Sequence, residues 1–214
     1  MLTPTQIRQI TALMHREVVP ATGCTEPAAV ALAVAYAAAQ TTAEPRSIEV
    51  LLSGNMLKNA MGVGIPGTGT FGIPIAIALG AILAAPEKQL ELLDTFTDEE
   101  LHQAQKLVAS GCIQIGLKEG DNVDRLYVEV LLTDTEGHLS TAIIQATHTG
   151  LTALTYDGED RFVPRTADTP CTKCPEPKDE EETIALNFDL VYEYALYGPL
   201  EELDFIYEAA LQNK

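Results

Sequence analysis

The chain has no tryptophan, only 13 lysines and arginines against 31 aspartates and glutamates, and four cysteines in 214 residues. The shortage of positive charge leaves a formal charge of −18. No cluster of lysine or arginine offers a path along a phosphate backbone, so nucleic acid is not an expected partner. Cysteines at 24, 112, 171 and 174 make a poor disulfide framework in a chain this long. The N-terminus also lacks a charged leader followed by an apolar run, and together these point to a reducing cytoplasm. The two most apolar stretches, 28–39 and 73–85, fall short of the roughly 20 residues that span a bilayer. No membrane is expected, and both stretches read as buried core helices.

No internal repeat is evident, and the length suits a single domain over 1–214. Thr3-Pro4 reads as an N-cap and first-turn proline, and Ile7, Ile10, Met14 and Val18 recur at helical spacing, which predicts a helix over about 4–19. Pro20 stops it. After a turn through Gly23, residues 26–40 are apolar on every side, as in a helix surrounded by protein. A strand over 47–52, a glycine-rich stretch over 62–72, a second apolar helix opened by Pro74 and a polar helix over 98–110 follow. The period then becomes two in segments 113–117, 127–132, 140–147 and 151–156, an antiparallel meander with turns such as 119–122 and 136–138. Residues 164–182, rich in proline, threonine and acid, read as a solvated loop, and 184–197 and 200–212 as closing helices. The expected class is α+β: apolar buried helices packed with an antiparallel sheet, and a helical C-terminal segment.

The run Gly23-Cys24-Thr25-Glu26-Pro27 places a cysteine at the start of an apolar helix. Unpaired amides and the helix dipole favour a thiolate there, making Cys24 a candidate base, nucleophile or metal ligand. Ser53 to Asn59 forms a polar cluster whose Lys58 is the only lysine before Pro86. It could hold a substrate carboxylate or simply be solvated. Gly62 to Gly67 has dinucleotide-fingerprint spacing, yet no strand pattern runs into it and no Gly-Lys-Ser/Thr follows. The loop reads either as a close-packed connection or, with Thr68 and Thr70, as a nest for an anion such as a carboxylate. A nucleotide-dependent oxidoreductase is the rival this loop suggests. His148, after a strand, could donate to a substrate, shuttle a proton or be structural. His15, His102 and His138 show no metal-site spacing. Cys171 and Cys174 have the spacing of a redox pair or half a zinc site without a second pair, and Cys112 reads as a small buried hydrophobe.

Taken together, Pro20 to Pro27, Ser53 to Asn59, Gly62 to Gly69 and His148-Thr149 resemble the L-cysteine desulfidase family, relatives of the iron–sulfur L-serine dehydratases, over roughly residues 8–160. The resemblance implies β-elimination, from L-cysteine to pyruvate, ammonia and sulfide or from L-serine to pyruvate and ammonia, at a [4Fe–4S] cluster with an open iron. It attaches the base role to Cys24, with capping of the fourth iron as the alternative. Thr25, Asn55, Lys58, Asn59, Thr68 and His148 become candidates for holding the amino acid. In that family the cluster ligands lie in a C-terminal half, which this chain lacks; Cys112, Cys171 and Cys174 do not match them. The expected partners are therefore the small amino acid, a cluster-binding second half or subunit, and a further copy in a homo-oligomer. This chain alone is expected to be inactive and to carry no cluster. Smaller departures are Gly54, where that family often has proline, and Ala146-Thr147, where it often has glycines. A small amino-acid-binding or regulatory module without catalysis is the alternative.

Overall fold

Alanine and glycine set the closest packing in the chain. In α2 (Thr25–Ala38) every residue from Pro27 to Ala38 except Tyr36 is buried. Its neighbour α4 (Ile73–Leu83), opened by Pro74, is buried from Ile75 to Ala81. A Cβ at Gly80 would lie 2.4 Å from the carbonyl oxygen of Ala31, so the two helices touch backbone to backbone where no side chain fits. The computed structural model describes residues 2–18, 23–162 and 184–212. Contacts group the chain into two units, 21–164 and the terminal segments 1–20 with 165–214. The class is α+β.

In the central unit, strand β1 (Pro45–Leu52) lies between β2 (Ile113–Leu117) and β3 (Tyr127–Asp134). The sheet continues through β4 (Leu139–Gln145), β5 (Leu151–Tyr156) and the short β6 (Glu159–Asp160), in the order β2-β1-β3-β4-β5-β6. From β3 onward the pairing is the expected antiparallel meander. The first predicted strand of that meander is misplaced, because β2 runs parallel to β1, with Ile48 opposite Ile113 and Leu52 opposite Leu117. The sheet is therefore mixed. The cause is the long crossover from β1 to β2 through α3 (Gly54–Ala60), α4 and α5 (Asp98–Ala109), which returns the chain to the end from which β1 began.

Alternation puts Ile48, Val50 and Leu52 of β1, Val128, Val130 and Leu132 of β3, and Ala142 and Ile144 of β4 into one core with Val30, Leu32 and Val34 of α2. Two elements carry no obvious signal in the sequence. One is α3, seven residues long and capped by the Ser53 hydroxyl, which accepts from the Met56 amide. The other is a 3-10 turn over Pro86–Glu91.

In the terminal unit, α1 (Pro4–Glu17) opens with a capping box between Thr3 and Gln6 and stops two residues before the expected end. α6 (Phe188–Tyr197), capped by Asn187, starts four residues later than predicted, and α7 (Asp204–Gln212) follows a 3-10 turn. The Thr11 hydroxyl and the Tyr194 hydroxyl are 2.7 Å apart, and the Phe205 ring stacks on His15 at 4.1 Å between centroids. The predicted loop 164–182, with Cys171 and Cys174, lies outside the described residues. Among the described residues no helix is long and apolar enough to cross a membrane.

Candidate functional site

Gly23 takes φ +76°, and a Cβ there would meet the Pro66 side chain at 3.2 Å. This close approach seats the turn before α2 against the glycine loop. Cys24 is the N-cap of α2, with extended backbone at φ −74° and ψ 131°, and so sits one step earlier than the first turn. Its thiol does not cap the helix. It donates instead to Glu26 Oε2 at 2.8 Å.

Glu26, in the first turn of α2, gathers the surrounding groups. Asn59 Nδ2 donates to Glu26 Oε1 at 3.1 Å from the last turn of α3, and the Thr25 hydroxyl lies 3.5 Å from Oε2. The same Thr25 hydroxyl is 3.3 Å from His148 Nε2. Three half-buried residues therefore meet at one carboxylate, and a fourth, His148, reaches it through Thr25. His148 is held by the tight turn between β4 and β5, where Gln145 and Gly150 are bonded and a Cβ at Gly150 would lie 2.4 Å from the Gln145 oxygen. Ala146 in this turn has φ +67°, a conformation that glycine adopts more cheaply, at one of the positions where the resemblance places glycine.

The electrostatics reverse the expectation for Cys24. Burial, then the hydrogen bond to Glu26 and its negative charge, push the thiol above its ordinary value; the amides of residues 25 and 26 pull the other way and lose. Donation from Cys24, joined by Asn59 and the nearby His148, holds the Glu26 carboxyl below the usual carboxylate range, against burial. The ionised member of the pair is the carboxylate. Helix-start amides favour a thiolate only where no anion already occupies the same helix end.

The remaining predicted residues separate from this cluster. Asn55 lies four residues before Asn59, on the same face of α3, and Lys58 directly before it, but both are exposed and no described hydrogen bond ties them to Glu26. Thr68 is buried, and its hydroxyl is spent within the loop, donating to the Ile65 oxygen at 2.8 Å and accepting from the Thr70 amide at 3.1 Å. The glycine loop is a small hairpin, bridged between Gly64 and Phe71 and entered from helix α3 instead of a strand, so the dinucleotide fingerprint does not fit. Gly54 is the first residue of α3, where proline would be tolerated.

Glu26 is the member of this cluster that sequence reasoning missed. An acid in a first helical turn reads as a dipole partner. The signal that could have singled it out is the pairing of a cysteine and a glutamate two residues apart at one helix end. Elsewhere, His138 Nδ1 lies 2.7 Å from Asp157 Oδ2, and buried Asp134 closes the β3–β4 turn by accepting from the amides of Glu136 and His138, while its other oxygen accepts from the Thr41 hydroxyl at 2.6 Å. Cys112 is half-buried, not buried, with its sulfur 3.8 Å from the Leu107 oxygen. Among the described residues no three histidines, cysteines or acids are placed to hold a metal ion.

No family model matches the chain. It is 48% identical to a UPF0597 protein of Porphyromonas gingivalis over 212 residues, or 99% of its length, and 48% identical to one of Parabacteroides distasonis over 206 residues, or 96%. It is 41% identical over all 214 residues to a UPF0597 protein of Oleidesulfovibrio alaskensis. These matches take 48%, 46% and 48% of the relatives, so the chain spans about half the length of the curated relatives it matches.

Proposed function

We propose that this chain is the substrate-side part of an amino-acid β-eliminating lyase, acting on L-cysteine or L-serine in the cytoplasm. The observation that carries the reading is the meeting of Cys24, Thr25, Asn59 and His148 around Glu26. β-Elimination breaks the Cα–H bond and the bond from Cβ to sulfur or oxygen. The proton goes to a base, sulfide or hydroxide leaves, and the aminoacrylate formed hydrolyses to pyruvate and ammonia. In this geometry Cys24 is that base only after its own proton has passed to Glu26 Oε2, 2.8 Å away. Asn59 and His148 leave Glu26 ionised and free to accept but lower its affinity for the proton, so the transfer is uphill until substrate charge beside the thiol favours the thiolate. Asn55 and Lys58, three residues apart and exposed on α3, are assigned the orienting of a substrate carboxylate.

An iron–sulfur cluster is held by several cysteine thiolates, four in the common case. The described residues offer one thiol at this site, with Cys112 bonded elsewhere, and so do not form its ligand set. The proposal accordingly assigns a [4Fe–4S] cluster to the rest of the relatives' length and routes no step through it. A second reading, a non-catalytic small amino-acid-binding module, is favoured by the thiol being held neutral.

The test is anaerobic iron and sulfide reconstitution of the chain, alone and co-expressed with the portion of the Porphyromonas gingivalis relative outside the match. Pyruvate formation from L-cysteine and L-serine is then followed, with a Cys24→Ala control. Activity that needs both parts and Cys24 is expected. A reconstituted pair that binds the cluster and amino acid but forms no pyruvate supports the binding module instead.

A further inference from the structure

Both C-terminal helices turn one aromatic residue to α1 and a large apolar face away from it. On α6, Tyr194 is buried and reaches Thr11. Tyr192 and Leu196 project from the opposite side of the helix, with Phe188 and Val191 on its exposed flank; Phe188 is 80% exposed and Tyr192 56%. The Phe188 and Tyr192 rings stack on one another at 6.0 Å. On α7, Phe205 stacks on His15, one helical turn along α1 from Thr11, while Tyr207 and Leu211 face the other way, 68% and 52% exposed. So much large apolar surface on helices already anchored through their other side marks a surface built for a partner.

We infer that the outward faces of α6 and α7 dock the other half of the relatives' length, as a domain or subunit presenting an apolar patch with a basic rim. Two observations select that occupant. The relatives match this chain through these helices yet extend to about twice its length, so they carry about as much chain again outside the match. The helices and the turn between them also carry Asp189, Glu193, Glu201, Glu202, Asp204 and Glu208 with no lysine or arginine between 184 and 212. A second copy of this chain would set like charge against like across the face, whereas a basic rim would complement it. The inference rests on the second half working with this chain, not on the elimination chemistry.

The experiment co-expresses the tagged chain with the unmatched portion of the Porphyromonas gingivalis relative and measures stoichiometry by light scattering and affinity by calorimetry at two salt concentrations. The double variant V191E/Y192E is compared, its fold checked by circular dichroism. A one-to-one complex is expected, weakened by added salt and at least about 30-fold by the variant. The chain alone should also bind the dye ANS, and the variant should bind less. No complex with the wild-type chain, equal affinity for the variant, a homodimer formed through this face, or no dye bound by the wild type would each overturn the inference. A complex that forms but, after iron and sulfide reconstitution, eliminates nothing leaves the docking surface standing and removes the lyase reading.

Discussion

α2 and α6 are both apolar helices, and they meet opposite ends. From Pro27 to Ala38 only Tyr36 of α2 escapes burial, whereas among the described residues of α6 only Tyr194 is buried. The difference follows from what each has to pack against. α2 is built of alanine, valine and leucine, small enough for α4 to reach its backbone and for the sheet to close on its other side. α6 carries large aromatic side chains, which reach outward instead of admitting a close neighbour. An apolar face states that burial is favourable; it does not supply the surface that does the burying. The largest expected contrast is therefore between Leu32→Ala, which leaves a cavity in the core and should cost about 3 kcal/mol, and Val191→Ala, which should fall within about 0.5 kcal/mol. Denaturant unfolding of the two variants measures both. An equal loss at Val191 would mean that its face is already covered.

A smaller effect sharpens the same contrast at the backbone. Replacing glycine by alanine inside a helix normally gains about 1 kcal/mol. At Gly80 the new methyl group would sit 2.4 Å from the Ala31 oxygen, a backbone atom that cannot give way. Forcing α2 and α4 apart costs about 1–3 kcal/mol, which outweighs the gain in propensity. Gly80→Ala should therefore lower the melting temperature by a few degrees. Gly62→Ala, where a Cβ meets nothing within 4 Å, should leave it nearly unchanged. If Gly80→Ala instead raised the melting temperature, the backbone contact between the helices would be refuted.

The elements that could be read from the sequence are those with a regular pattern or a long apolar run. The strands from β3 to β5 follow from their spacing, while the two apolar helices follow from apolar runs too long for a strand and α5 from its polar pattern. The parallel pairing of β1 with β2 could not be read. An edge strand shows the same alternation whichever way its neighbour runs, and its partner lies some 60 residues earlier in the chain. α3 was hidden because Gly-Asn-Met-Leu-Lys-Asn-Ala is too short to show a helical period, although its Ser53 cap is an ordinary one. Within the site, residue identities were legible and relations were not. Cys24, Thr25, Asn59 and His148 were singled out and do come together, but Thr68 is consumed by its own loop and Glu26 was overlooked at the centre. Which groups face one another depends on the packing of α3 and the β4–β5 turn against the start of α2, and that is a tertiary fact.

The smallest effect concerns the single charged residue of α2, placed at the one end where the helix is not enclosed. Glu26→Gln removes both the anionic acceptor of the Cys24 proton and the charge that opposes a thiolate. Burial still raises the thiol and the amides of residues 25 and 26 still lower it, so the pH midpoint for alkylation of Cys24 should move down, and alkylation near neutral pH should quicken. Peptide-resolved mass spectrometry after iodoacetamide treatment separates Cys24 from the other three cysteines. Stability should respond with the opposite sense of pH. Because the folded state holds Glu26 below its ordinary value of 4.5, its contribution is complete above about 4.5 and fades as pH falls through the lower folded value. The glutamine variant should lose that part of the acid limb and unfold less steeply with falling pH. A Cys24 midpoint that stayed in place or rose would show that burial alone holds the thiol neutral, and Glu26 would then be a helix-start residue with no hold on the cysteine.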